Sequence, residues 1–223
     1  MWRLLLTLFV VLILAVRSSA SAEGQAVNPC ADWSQSASET MFRVAAAQSR
    51  TEEGLNLLTD LMERHNAGEA AALTTFQHQR KSFEATVEEA VTASRFAVQE
   101  AKGLTQRLKK AASRCHETEL HGMRWARWWF DNHGPIVKMR AGYLAAARLD
   151  FLRAESIFEE IIASRVNSDN PNYAGLIDRA TRSLAILKAG EIPSLFWRQF
   201  DQEGNPGKVP PPEYIPKSQG RKP

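Results

Sequence analysis

Five histidines, two cysteines and several adjacent acidic pairs are the residues of this 223-residue chain that could carry chemistry, and their spacing argues against most of it. A helix presents two metal ligands on one face at i,i+4, as in H-E-x-x-H, and His116 and His121 miss that spacing. Glu117 and His121 meet it, but the same spacing suits a surface ion pair. The pairs Glu52-Glu53, Glu88-Glu89 and Glu159-Glu160 are sequence neighbours, so on a helix they diverge by about 100° and do not converge on one substrate. The chain has no G-x-S-x-G elbow, no glycine-rich phosphate loop, no C-x-x-C and no zinc pattern. No catalytic, cofactor-binding or metal-binding residue is assigned, no cofactor is implied, and an enzyme with a dispersed site is the least favoured function.

The cysteines, Cys30 and Cys115, have a different use. The first residues combine a basic start, an apolar run from Leu4 to Val16 and the small triplet Ala20-Ser21-Ala22, which together describe a secretory signal peptide over 1–22, cleaved after Ala22. The run is short of the roughly 20 residues a membrane span needs, and no second such run follows, so no span is expected after cleavage. An exported chain with an even cysteine count invites a disulfide, here Cys30 to Cys115. Losing Arg3 and Arg17 lowers the formal charge from +3 to about +1. A near-neutral chain gives no electrostatic case for nucleic acid. The expected location is secreted or periplasmic.

The elements that must position these residues are helices throughout. Residues 23–35 are polar and broken by Pro29, so they read as an extended segment. Ser36 and Glu39 have the spacing of a capping box, and a 3-4 apolar pattern then runs through Ala37, Met41, Val44, Gln48, Thr51, Leu55, Leu58, Met62 and His65. Its polar middle predicts fraying near Ser49 to Gly54, and Asn66-Ala67-Gly68 predicts the stop. A second pattern starts at Leu73 and continues through Phe76, Arg80, Phe83, Val87, Ala90, Ser94, Ala97, Ala101, Leu104, Leu108, Ala111 and Cys115 to Trp125 and Trp129. So sustained a heptad predicts a coiled-coil-like seam. Unbroken from Ala70 to Trp129 it spans roughly 90 Å at about 1.5 Å per residue, and Gly103 and Gly122 are the candidate breaks. The expected fold is all-α: a long antiparallel helical hairpin over 36–132, stapled at its open end by the disulfide, then a short helical region over 133–200. A Pro/Gly-rich tail over 201–223 is expected to be disordered.

Asn132-His133-Gly134-Pro135 reads as a stop followed by a start, with helices expected from Pro135 to Arg148, Phe151 to Val166 and Tyr173 to Ala189, the last ended by Gly190. A further turn is expected within 191–200, where Ser194 would cap Leu195, Phe196 and Trp197. Within 135–166, Gly142, Asp150, Phe151, Ala154, Phe158 and Ile162 occupy the spaced positions of one helical hairpin. They resemble a single degenerate tetratricopeptide repeat, with glycine in the first helix, Asp-Phe at the turn, and alanine and phenylalanine in the second. The match departs from the pattern in lacking the aromatic four positions before Gly142 and in having Val166 where the repeat ends in proline. Such a resemblance implies a protein-binding scaffold without catalytic residues.

Three of the six tryptophans, Trp125, Trp128 and Trp129, cluster where the long pattern meets the shorter helices. Trp125 and Trp129 share a face at i,i+4 and are expected in the core. Trp128 falls on the face of His121 and Arg124, and an exposed tryptophan beside arginine suits a binding hot spot. The favoured function is an exported, non-enzymatic scaffold or adaptor that binds protein through this junction or the hairpin. The alternative is a bundle that binds a small ligand, lipid or envelope polymer between the hairpin and the C-terminal helices.

Overall fold

The computed structural model describes residues 30, 32–111, 115–164 and 171–193, with the side chains of 171–173 left aside. The signal peptide expected over 1–22, the tail expected over 201–223 and most of the turn expected within 191–200 lie outside them. Among the described residues the chain is all-α, with six helices: α1 (Trp33–Asn66), α2 (Ala70–Ser82), α3 (Glu84–Ala111), α4 (Glu117–Ala147), α5 (Phe151–Ala163) and α6 (Pro171–Lys188).

α1 begins three residues earlier than its sequence suggested, at Trp33, and Ser36 caps nothing. Its hydroxyl instead donates to the Glu100 carboxylate on α3. α1 does not fray in the middle, because Thr51 turns its hydroxyl back onto the Ala47 and Gln48 carbonyls at 2.9 Å and is buried as a satisfied group. Gly54 is buried where Leu144 and Phe83 press to 3.0 Å of the place a Cβ would take. The stop at Asn66 forms as expected, with Gly68 at φ +96° and the Ala67 and Gly68 amides bonded back to Glu63 and His65.

The second long pattern does not make one helix. It is interrupted at Phe83, between α2 and α3, and again between Ala111 and Glu117, whereas Gly103 and Gly122 both lie inside helices. Space explains Gly122: the Trp33 ring sits 3.1 Å from where its Cβ would be, so the glycine seats an aromatic and breaks nothing. Side-chain pairs set α1 and α3 antiparallel, with Asp32 level with Arg107 and Arg50 level with Glu89. Cys30 and Cys115 lie at disulfide distance with Cα atoms 5.7 Å apart, joining the start of α1 to the segment between α3 and α4.

α4 organises the rest. It lies against both α1 and α3, and its second half also carries α5 and α6. Asn132-His133-Gly134-Pro135 neither stops nor starts a helix, and the division expected at 132/133 falls in the middle of α4. Pro135 lacks the amide that would bond the Asp131 carbonyl, yet the helix continues because its surroundings hold it: from Asn132 to Ala147 every residue but Lys138 is buried. Gly134 is there for approach, since a Cβ would come within 2.8 Å of the Ala97 Cβ on α3. A helix apolar on all sides is a central helix, and the run Ala141 to Ala147 is that case.

After Ala147 the chain turns through Leu149 at φ +63° into α5, whose first turn is capped by Asp150 accepting from the Arg153 amide at 3.3 Å. Gly142 lies under the Phe158 ring, 2.5 Å from where a Cβ would sit, and Ala154, Ile157 and Phe158 are buried against α4. α6 closes this end, with Ser183 donating to the Tyr143 hydroxyl at 3.2 Å, and ends at Gly190 with φ +81°. Two arginines tie the halves together, Arg140 buried and Arg148 half-buried. Arg148 donates to the Arg80 carbonyl at 2.5 Å, fastening the α4 to α5 turn over the α2 to α3 interruption, and Arg140 reaches Glu52 on α1 at 3.3 Å.

Candidate functional site

The tryptophan junction is built on the first turns of α4. His116 caps that helix, its amide donating to Glu119 Oε2 at 3.0 Å, and Glu117 and Glu119 place negative charge at the helix's positive end. Arg124 reaches back from the next turns to Glu117 Oε1 at 2.7 Å. His121, Arg124 and Trp128 share a face by spacing; Arg124 is exposed, whereas His121 and Trp128 are half-buried. The Trp128 carbonyl accepts from Asn132 Nδ2 at 2.6 Å. Trp125 and Trp129, expected in the core, lie at its edge, half-buried and packed against it. The fully enclosed positions are Leu120, Met123, Ala126 and Phe130, one residue out of phase with the tryptophan pair. The non-helical Cys115 and His116 are the cause: α4 is a separate helix, so the rotation carried along the heptad from α3 no longer applies.

Beneath Trp129 lies a buried polar strip that sequence reasoning did not single out. The Trp129 indole stacks on the His133 imidazole with ring centroids 4.3 Å apart and meets Phe130 edge-on at 5.5 Å. His133 Nδ1 makes no hydrogen bond among the described residues. Burial, and secondarily the Arg140 guanidinium, push the His133 pKa down to about 4, so the ring is neutral near pH 7. Burial also raises the Asp131 carboxyl against the opposing pull of Arg127, 3.3 Å away. These groups form no nucleophile and base pair: Asp131 faces Arg127, Arg140 is engaged with Glu52, and His133 is covered by Trp129.

Among the described residues, Cys30, Cys115 and Glu119 bring potential metal ligand atoms within 4.8 Å of one another. Bonded cysteines offer no thiolates, and Glu119 is committed to the helix cap, so the cluster serves the junction's structure.

An open apolar groove of about 560 Å³ lies between α1 and α3. Ala46, Ala47 and Ala93 make its floor, Phe42 and Phe96 flank one end, and Arg50 and Glu89 pair at the other. Phe42 is 69% exposed and Phe96 38%, and the Arg43 guanidinium lies over the Phe96 ring at 5.4 Å. α5 stands beside this face, with Arg153 Nε donating to Glu88 Oε1 at 2.6 Å. The seam that assigned Met41, Val44, Ser94 and Ala97 to the interior left Phe42 and Phe96 outside it. Two aromatics just off the seam were therefore the signal in the sequence, and the pairing of α1 with α3 brings them to one surface. A second exposed apolar group, Leu149, Phe151 and Leu152, sits at the α4 to α5 turn.

Neither a protein-family model, nor a curated protein, nor a solved structure matches this chain.

Proposed function

We propose that this chain is an exported, non-enzymatic helical scaffold that binds protein through the groove between α1 and α3. The observation that carries the reading is the exposure of Phe42 beside an alanine floor. A phenylalanine left mostly in water costs solvation that burial in a contact recovers, about 1.5 to 3 kcal/mol for a full burial. Small floor residues let a second helix approach closely, the geometry in which an amphipathic helix docks in a groove. Export is supported by the Leu4 to Val16 run with its Ala20-Ser21-Ala22 site and by the cysteine pair at disulfide distance. The Trp128, Arg124 and His121 face is the secondary contact, and the tetratricopeptide-like hairpin, with Phe158 over Gly142, is consistent with a scaffold role.

A photo-crosslinking amino acid placed at Ala46 in the native host tests this. A discrete protein adduct is expected, lost on Phe42→Glu and reduced on Trp128→Ala if the junction contributes. Absence of any protein adduct from Ala46, with the chain folded and exported, overturns the groove as a binding surface.

A further inference from the structure

We propose that the occupant of this groove is a second copy of the same chain, bound about a two-fold axis that runs along the groove; this rests on reading the face as a protein-binding surface. The face carries its own complement in shape and in charge. Phe42 projects from the α1 wall beside a floor of alanines, so each copy offers both the knob and the shallow hole. Arginines stand on the α1 wall, at Arg43 and Arg50, and Glu88 and Glu89 on the α3 wall.

Charge selects the arrangement. Two layers that meet face to face can be related by a two-fold axis along the groove or across it. Across it, α1 lies on α1 of the other copy in the opposite sense. Arg43 and Arg50 lie on either side of the groove's midpoint, so each then meets the other, and like charges oppose. Along it, α1 of each copy lies on α3 of the other with levels preserved. Because Arg50 is level with Glu89, and Arg43 with Phe96, Arg50 of one copy then faces Glu89 of the other, and Phe42 of one packs beside Phe96 of the other. The Arg50 and Glu89 side chains, each about half exposed, can form these contacts between copies in addition to the pair within one chain. Four helices with alanine between them make the contact, and small residues at such a seam allow close packing.

Sedimentation equilibrium on the full chain with its disulfide intact reads the proposal. A reversible dimer is expected, populated by about 100 μM as micromolar affinity requires. Phe42→Glu is expected to weaken it by about tenfold or more. Arg50→Glu alone and Glu89→Arg alone each place like charges opposite one another twice and are expected to be monomeric. When the two variants are mixed, the carboxylate introduced at position 50 of one faces the guanidinium introduced at position 89 of the other. The unchanged Glu89 of the first likewise faces the unchanged Arg50 of the second, and the mixture is expected to dimerise. That rescue arises only between copies, because each variant chain lacks the internal pair in the mixture as it does alone. Circular dichroism melting confirms that the variants fold. A chain monomeric throughout this range, a dimer indifferent to Phe42→Glu, or a mixture that fails to associate overturns the proposal. If the chain is monomeric and the Ala46 crosslinker captures a different protein, the two-copy contact fails while the scaffold reading stands. If the crosslinker captures nothing, both fail.

Discussion

Burial of His133 is expected to make the stability of this protein sensitive to mild acid. Its imidazole is buried on α4 under the Trp129 ring, its pKa pushed down to about 4 by burial and by Arg140, whereas in the unfolded chain it titrates near the ordinary value of about 6.5. Between those values the unfolded chain binds a proton that the folded chain does not, so stability rises with pH through this window and is lost as pH falls. The contribution is fully present above pH ~6.5 and exhausted below pH ~4, and a difference of about 2.5 pH units corresponds to about 3 kcal/mol. Roughly 2 kcal/mol of it is lost between pH 7 and pH 5, where most carboxylates remain ionised. The charge that acts on the ring is Arg140 on the same helix, which in turn engages Glu52 on α1 at 3.3 Å. Urea unfolding followed by tryptophan fluorescence at pH 7, 6 and 5 measures the slope. His133→Phe retains a ring to stack on Trp129 and removes the titration. Whatever that substitution costs in packing at pH 7, its stability should fall by much less than the native chain's between pH 7 and 5. Parallel curves for the two proteins would show that His133 does not carry the dependence.

Gly142→Ala places a methyl 2.5 Å from the Phe158 ring and should destabilise by about 1 to 3 kcal/mol through overpacking, read as a lowered urea midpoint with unchanged m-value. Replacing Cys30 and Cys115 by serine opens a crosslink across a sequence separation of 85, with an expected loss of roughly 4 to 5 kcal/mol in the chain-entropy model; non-reducing peptide mapping first establishes the linked pair, and two freely alkylated thiols would refute the linkage. Trp125→Ala and Trp128→Ala both remove half-buried rings, but Trp125 packs against the core. Thermal melting should therefore show a loss of about 1 to 3 kcal/mol at Trp125 and a smaller one at Trp128, and equal losses would argue against a distinct role for the Trp128 face. Arg148→Ala leaves the Arg80 carbonyl without this donor and should cost about 1.5 to 3 kcal/mol, detected by hydrogen exchange as faster opening around Phe83.

Class and local rules were legible in the residues alone. Apolar residues at 3-4 spacing made helices, and the seam positions Val44, Leu55, Leu58, Val87, Ala90, Ala97 and Leu104 are all buried, because period is a property of the chain that packing can only use. Glycines that must adopt positive φ, Gly68 and Gly190, ended helices where they stood. The pairing of Cys30 with Cys115 was legible in the even cysteine count, and the antiparallel α1 and α3 bring the two Cα atoms within 5.7 Å. Packing between helices governed what local signals left open. A stop signal such as Asn132-His133-Gly134-Pro135 acts when water can take the freed backbone groups and there is room for the chain to turn. Enclosed on several sides, the same residues stay helical, and glycine serves helix approach to Ala97. The phase of α4 was equally out of reach, since a heptad transmits rotation only along an unbroken helix and the interruption at Cys115 and His116 resets it. That reset moved Trp125 and Trp129 to the edge of the core and enclosed Leu120, Met123, Ala126 and Phe130 instead. The groove is the furthest case: Phe42 and Phe96 lie 54 positions apart in the sequence, and only the antiparallel register of α1 on α3 makes them one surface.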